Sequence, residues 1–117
     1  MTTRISGGQH RGRSIKTPTF GGLRPTSERV RAAVFSIIGP DAVEGKRVLD
    51  LYAGTGALGI DALSRGAAWA DFVERDGRRC KAIRGILAQL TMEGNARVHS
   101  GQVKKVLHGL EGPYDLV

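Results

Sequence analysis

The sequence predicts an α/β fold in which a parallel sheet follows a short basic hairpin and a helix. From Arg47 onward, short apolar segments alternate with segments whose apolar residues recur at helical spacing. This alternation is typical of parallel strands joined by right-handed helical crossovers. The first apolar segment runs into Gly54-x-Gly56-x-x-Gly59, a glycine pattern typical of a loop and helix start that bind a nucleotide-like cofactor.

Composition limits the class of protein. The 117 residues suffice for one domain, and 40% hydrophobic with 25% charged residues is a globular composition. No apolar run reaches the roughly 18 residues that cross a bilayer, and no apolar segment follows Met1. A single cysteine, Cys80, excludes an internal disulfide and a cysteine metal cluster. We therefore expect a cytoplasmic protein with no metal site and no membrane partner, in which Cys80 is a structural thiol.

The net charge of +7 is concentrated in the first part of the chain. Residues 1–47 carry nine Lys and Arg against three acids, a net +6, whereas residues 48–117 carry nine against eight. A basic segment before a nearly neutral body predicts a polyanionic partner. The alternative is a solvated basic face that keeps the protein soluble, but the segregation of the charge favours nucleic acid.

The N-terminal segment predicts two short strands, Arg4–Ser6 and Ser14–Lys16, joined by a loop of glycines and arginines over residues 7–13. An arginine in such a loop can bind two phosphate oxygens at once. His10 has no His or Cys near it in sequence, so a surface position or a nucleic-acid contact is favoured over metal ligation.

A proline- and glycine-containing linker over residues 18–25 precedes a predicted helix. Thr26 is placed to cap its N-terminus, and Gly39-Pro40 ends it. Arg29 and Arg31 lie off the expected buried stripe, which consists of Val30, Ala33, Val34, Ile37 and Ile38.

The remaining elements alternate through to the last residue. The predicted strands are Arg47–Tyr52, Trp69–Glu74, a segment near Arg97–His99 and Tyr114–Val117. The predicted helices are Ala57–Arg65, Gly77–Leu90 and Gln102–Leu107. The sequence stops four residues into the fourth strand, where a doubly wound sheet needs more strands and helices. We therefore expect a sheet truncated after strand four, with residues 1–45 forming a basic N-terminal extension and residues 46–117 the first half of the α/β domain.

Two acids flank the glycine pattern. Asp50 lies in the strand before it, where it either caps the loop backbone or stands near the amino-acid end of a cofactor; both roles can coexist. Glu74 ends the second strand, twenty residues after Gly54, where an acid can accept hydrogen bonds from ribose hydroxyls. These features suit NAD and S-adenosylmethionine alike.

The acid-x-x-x-Gly-x-Gly form of Asp50–Gly56 resembles the first motif of Rossmann-like S-adenosylmethionine-dependent methyltransferases. A closer resemblance is to the bacterial RsmD-type family. It rests on the segments Gly12-Arg13, Leu23–Thr26, Arg29-Val30-Arg31, Leu49–Gly59 and Ala62–Gly66.

The resemblance implies methylation of a guanine exocyclic N2 in small-subunit (16S) ribosomal RNA, free or in an assembling subunit, by a monomeric enzyme that uses S-adenosylmethionine. It implies that Gly54, Gly56 and Glu74 bind the cofactor with support from Asp50, and that Gln102 stands where relatives place an adenine-binding acid. It also implies an RNA-facing set that consists of Arg4, Arg11, Arg13, Lys16, Arg24, Arg29 and Arg31.

The family's Asp/Asn-Pro-Pro-aromatic motif, which holds the target amine, is expected beyond Val117, so no catalytic residue is assigned; Asp115 comes too early. For residues 1–117 by themselves we expect little methyl transfer and marginal stability, because strand four is an unprotected edge. Three alternatives remain: a DNA base amino-methyltransferase, a non-catalytic RNA-binding module, and a nicotinamide-dependent dehydrogenase.

Overall fold

The structure is a computed structural model that describes residues 2–16, 26–110 and 112–117. The described residues form five strands: β1 (Thr2–Arg4), β2 (Ser14–Lys16), β3 (Arg47–Leu51), β4 (Trp69–Glu74) and β5 (Ala96–Ser100). They also form four helices: α1 (Glu28–Ile38), α2 (Ala57–Ser64), α3 (Gly77–Gln89) and α4 (Val103–Val106). Short 3₁₀ turns cover Pro40–Ala42, Glu93–Asn95 and Leu107–Gly109.

The predicted parallel sheet is confirmed, with strand order β3-β4-β5. Helices α2 and α3 are the crossovers, and the apolar residues that recur at helical spacing along α3 and its C-cap (Ile83, Ile86, Leu87 and Leu90) are all buried. Helix α2 approaches the sheet closely at Gly59, where an added Cβ would lie 2.3 Å from the ring of Phe72. Glycine is needed here because any side chain would force the helix away from the sheet.

The predicted hairpin is present, although its first strand starts two residues earlier than expected. Strand β1 pairs antiparallel with β2, with Thr3 opposite Ile15 and Arg4 opposite Ser14. Ile5 and Ile15 are buried in the same hydrophobic core as the sheet residues Val48 and Phe72. The hairpin is therefore packed into the core of the sheet and its helices.

Helix α1 corrects two expectations. Its N-cap is Ser27, whose hydroxyl accepts a hydrogen bond from the Val30 amide, and not Thr26. Its buried residues are Arg31 and Phe35, while four of the five members of the predicted buried stripe are exposed (Val30, Ala33, Val34 and Ile37, the last at 83%). The rotation has a physical cause: an arginine that must meet a buried carboxylate fixes which face of the helix turns inward.

The fourth predicted strand is reduced to one parallel bridge between Val48 and Leu116. The Leu49 amide donates to the Leu116 carbonyl at 2.8 Å, so this segment lies beside β3 on the side away from β4. The predicted linker over residues 18–25 and the predicted site residue Arg24 lie outside the described residues. Within the described part of the chain, no helix is long and apolar enough to span a membrane.

Candidate cofactor-binding site

The glycine loop, residues 52–56, follows β3 at the edge of the sheet where the carboxyl ends of all three parallel strands meet. Tyr52, Gly54 and Gly56 have positive φ angles of 54°, 59° and 78°. The two glycines adopt this backbone easily, whereas Tyr52 does so at a cost and leaves its ring 79% exposed. Ligands of open α/β sheets bind at this edge.

Glu74 accepts hydrogen bonds from two segments at this edge, the glycine loop and the turn before α3. One carboxylate oxygen accepts the Gly54 amide at 2.9 Å and the other accepts the Asp76 amide at 2.7 Å. Arg79 lies 3.8 Å from the second oxygen, and Glu74 is only 6% exposed. The two backbone amides orient the carboxylate. Each oxygen keeps a further acceptor position, so Glu74 can still accept hydrogen bonds from ligand hydroxyls.

Asp50 contacts the start of α2. Its carboxyl group accepts the Gly59 amide at 3.1 Å. Burial raises the pKa of Asp50 to about 7; the Gly59 hydrogen bond opposes this rise and the negative charge of Glu74 adds to it. The group is therefore partly protonated near neutral pH. The structure supports the capping interpretation of Asp50 through the Gly59 contact.

Gly56 also has a packing role that the sequence did not show. A Cβ at Gly56 would lie 3.0 Å from the Ile83 side chain of α3, and its positive φ already favours glycine. The interpretation of these glycines as a cofactor-binding pattern is therefore incomplete, because Gly56 and Gly59 also allow α3 and the sheet to pack closely around the loop.

Gln102 borders a cavity of about 240 Å³ beside the glycine loop. The cavity is lined by Tyr52, Arg75, Gly101, Gln102, Val103 and Lys104. The Gly101 amide donates to the Glu74 carbonyl at 2.9 Å, which ties this segment to the end of β4. Gln102 is the N-cap of α4 but makes no side-chain cap, so its amide is available at the cavity wall.

Cys80 and His10 make contacts of a structural kind with neighbouring segments. Cys80 is buried, and its thiol donates to the Glu74 carbonyl at 3.3 Å, as a structural thiol would. The His10 amide donates to Ser64 Oγ at 2.9 Å. Among the described residues, no group of three or more His, Cys, Asp or Glu side chains is placed to hold a metal ion.

Most of the predicted RNA-facing residues are at the surface. Those that are exposed are Arg4, Arg11, Arg13, Lys16 and Arg29. Register places Arg4 and Lys16 on the hairpin face opposite buried Ile15. Arg4 also forms a 3.2 Å ion pair with Glu28.

Arg31 contradicts the expectation that it faces RNA, because its side chain is 0% exposed. Its guanidinium forms a buried ion pair with Asp61 of α2 and donates to the Arg4 carbonyl at 2.9 Å and the Thr3 hydroxyl at 2.7 Å. The physical reason is that the hairpin and α1 both meet α2 at this carboxylate. Arg31 therefore joins three elements inside the protein.

The sequence analysis missed the residues that receive the hairpin. Asp61 accepts the Ser6 amide at 2.8 Å and the Ser6 hydroxyl at 2.9 Å, and the Ser64 hydroxyl donates to the Gly7 carbonyl at 2.6 Å. From the sequence, Ala62–Gly66 is identified only as one of the segments that resemble the family. An available signal was Asp61 itself, an acid among apolar residues of a helix that faces the sheet.

A family model described as "Conserved hypothetical protein 95" matches residues 3–117. The chain is 42% identical over 114 residues to ribosomal RNA small subunit methyltransferase D of Escherichia coli K12. That alignment covers 97% of this chain and 57% of the relative. The chain belongs to this family. It is the RsmD-type family that the motifs resemble, so that prediction is confirmed.

Two further similar proteins are also named as putative methyltransferases. A putative rRNA methyltransferase, YlbH, of Bacillus subtilis is 38% identical over 105 residues, which is 90% of this chain and 56% of that protein. A solved structure of the putative methyltransferase yhhF from Escherichia coli superposes with a TM-score of 0.81 at 38% identity, over 92% of this chain and 56% of the other. The Rossmann-like methyltransferase fold is thereby confirmed, and the chain spans a little over half the length of these RsmD-type relatives.

Proposed function

We propose that the protein containing this chain transfers a methyl group from S-adenosylmethionine to a guanine exocyclic N2 of 16S ribosomal RNA. The proposal rests on the hydrogen bond that the Gly54 amide donates to the Glu74 carboxylate at the carboxyl edge of the sheet, in a chain of the RsmD-type family. This bond supports the proposal because a carboxylate that can accept hydrogen bonds from ribose hydroxyls lies against the glycine loop. The relatives' names supply small-subunit ribosomal RNA as the substrate, and the guanine N2 comes from the family resemblance.

The described residues fit this cofactor. Glu74 offers two oriented carboxylate oxygens for the ribose hydroxyls, and the exposed Tyr52 ring and the Gln102 amide border the adjacent cavity. Asp50 holds the first turn of α2 in place through Gly59. When bound, the cofactor supplies an electrophilic methyl group, so the protein's main task is to place the guanine amine in line with it.

The exposed basic residues of the hairpin and α1 suit the RNA. Arg11 and Arg13 lie in the loop of the hairpin, and Lys16 and Arg29 are exposed nearby in sequence. They supply phosphate contacts that set the position of the RNA without reading its sequence. A base in structured RNA must be unpaired or splayed out to reach the site. This proposal also includes the division of the chain after residue 45, a monomeric state and a cytoplasmic location. It includes an Asp/Asn-Pro-Pro-aromatic motif that would bind the acceptor base.

The direct test is transfer of labelled methyl from S-adenosylmethionine to small-subunit RNA by the intact protein. We expect label in RNA, in N2-methylguanine after digestion. DNA of matched sequence is the second substrate, and label in DNA alone would replace this proposal by the DNA base alternative. Binding of RNA without binding of the cofactor would instead support a non-catalytic RNA-binding module.

A further inference from the structure

A cleft of about 500 Å³ lies between the hairpin and α1, apart from the cofactor site. We call it the hairpin cleft. Its walls come from the hairpin loop, from α1 and the 3₁₀ turn after it, and from the residue that follows α2. The lining residues are Gly8, Ala32, Phe35, Ser36, Gly39, Pro40, Val43 and Arg65.

Arg65 is positioned at this cleft by contacts with α1 and the hairpin. Its guanidinium carbon lies 4.5 Å from the centroid of the Phe35 ring, a cation–π arrangement. On the hairpin side, a Cβ added to Gly7 would lie 2.5 Å from the same carbon, so the absence of a side chain at Gly7 leaves room for the guanidinium in this position. One terminal nitrogen donates to the Ser6 hydroxyl at 2.9 Å. The planar group is thus oriented before any ligand arrives.

Among residues 2–16, 26–110 and 112–117, the charge of Arg65 is not matched by an acid of its own. Asp61 is the carboxylate beside it, but this group is already paired with the buried Arg31 and accepts two hydrogen bonds from Ser6. The Arg65 Nε stands 4.0 Å from Asp61, and among the described residues this buried nitrogen has no hydrogen-bond partner. Two guanidiniums therefore share one carboxylate, and one positive charge remains.

We propose that the hairpin cleft binds a backbone phosphate of the substrate RNA through the Arg65 guanidinium. An oriented, partly dehydrated arginine is the group that best matches phosphate oxygens. The exposed Arg11 and Arg13 of the same hairpin loop extend the positive surface along which the RNA backbone would pass. The inference rests on the proposed function for the identity of the anion, and it adds a contact from the nearly neutral part of the chain.

The cleft lies away from the methyl-transfer edge. Helix α2 starts at the glycine loop and ends one residue before Arg65, and its eight residues span about 12 Å. The phosphate bound here belongs to a nucleotide that flanks the target base. Loss of the contact is therefore expected to raise the KM for RNA while leaving kcat and cofactor affinity near their original values.

The decisive comparison is Ser36→Glu against Ser36→Gln in the intact protein. Ser36 is exposed on α1 and lines the cleft, so both substitutions add similar bulk and only one adds a negative charge. We expect Ser36→Glu to bind small-subunit RNA about fivefold to tenfold more weakly than Ser36→Gln in low salt, with a smaller ratio in high salt. Equal affinities of the two variants would overturn the proposal.

A second variant, Arg65→Gln, measures the contact itself, with Arg97→Gln on the exposed surface of β5 as the matched loss of charge. We expect Arg65→Gln to lower the slope of log affinity against log salt by about one and Arg97→Gln to leave it unchanged. Equal slopes for the two variants would contradict the cleft contact. If the unsubstituted protein neither binds nor methylates the RNA, the proposed function fails, and the inference fails with it.

Discussion

Glu74 is fixed in place by the backbone of the site it is proposed to serve. Its two carboxylate oxygens accept amides from the glycine loop and from the turn before α3. An acceptor oriented in this way costs little to organise when the ligand binds. The same bonds mean that removing the carboxylate alters the loop as well as the ligand contact, so the choice of substitution matters.

We predict that Glu74→Gln weakens S-adenosylmethionine binding by about tenfold or more, because a neutral amide is a poorer acceptor for ribose hydroxyls than a carboxylate. Glutamine keeps an oxygen for the Gly54 amide, so the loop is disturbed less than by alanine. Titration calorimetry on the intact protein measures the effect. Glu93→Gln, an exposed acid in the 3₁₀ turn before β5, is the control; equal affinity in both variants would remove Glu74 from the site.

Asp50 gives a prediction about pH. Its carboxyl pKa is about 7 in the folded protein against 3.8 in the unfolded chain, so the folded state holds the proton more tightly. Between these two values the unfolded chain binds fewer protons, and the free energy of unfolding therefore falls as pH rises from about 4 to about 7. The loss has an upper bound of about 4 kcal/mol for a shift of this size.

Asp50→Asn tests this directly, because asparagine can accept the Gly59 amide and has no proton to lose. We expect the unfolding free energy of the original protein, minus that of Asp50→Asn, to decrease across pH 4 to 7 and to level off above it. Urea denaturation of both intact proteins at several pH values gives the difference. A difference that stays constant over this range would show that Asp50 titrates normally.

At the scale of elements, the hairpin is held by backbone contact with the end of α2. The Gln9 amide donates to the Ser64 carbonyl at 2.8 Å, and a Cβ at Gly8 would lie 2.0 Å from that same carbonyl oxygen. Gly12, in the same loop, has a similar positive φ, yet a Cβ there would meet nothing within 4 Å. Gly8 is therefore required both by its positive φ and by the close approach of the Ser64 carbonyl, whereas Gly12 is favoured by its positive φ alone.

We predict that Gly8→Ala destabilises the intact protein by several kcal/mol and displaces the hairpin, because a backbone oxygen cannot yield as a side chain can. Gly12→Ala should cost only about 1–2 kcal/mol, the penalty for a positive φ. Denaturant titration compares the two. Similar losses would mean that the hairpin does not rest on the Ser64 carbonyl.

Helix α1 shows where an element-level pattern fails. The spacing of Val30, Val34 and Ile37 predicted the buried face, but all three are exposed, and the helix turns Arg31 and Phe35 inward. A hydrophobic pattern favours burial of its stripe only when no stronger partner is present. The ion pair of Arg31 with Asp61 and the contact of Phe35 with Arg65 supply that partner. Neither Asp61 nor Arg65 is near α1 in sequence.

At the scale of the whole molecule, the segregated charge yields a prediction on RNA affinity. The exposed basic residues of the hairpin and α1 release counterions when they contact phosphates. We expect the double variant Arg11→Gln, Arg13→Gln to lower the salt slope of RNA binding by about 1.5 to 2. The control with the same loss of charge is Lys81→Gln, Arg97→Gln, two exposed residues away from the hairpin. Equal slopes in the two double variants would place the RNA elsewhere.

The sequence by itself determined the parallel sheet, the order of its elements and the glycine loop with Glu74, because these depend on short-range periodicity and on fixed spacing along the chain. Only the tertiary structure decided that Arg31 is internal, that α1 exposes an aliphatic face, and that Arg65 meets the hairpin. Each of these depends on a contact with a residue at least 28 positions away: Thr3 for Arg31, and Ser6 and Phe35 for Arg65. A buried charge takes the orientation that pairs it, and its partner is set by how the elements pack.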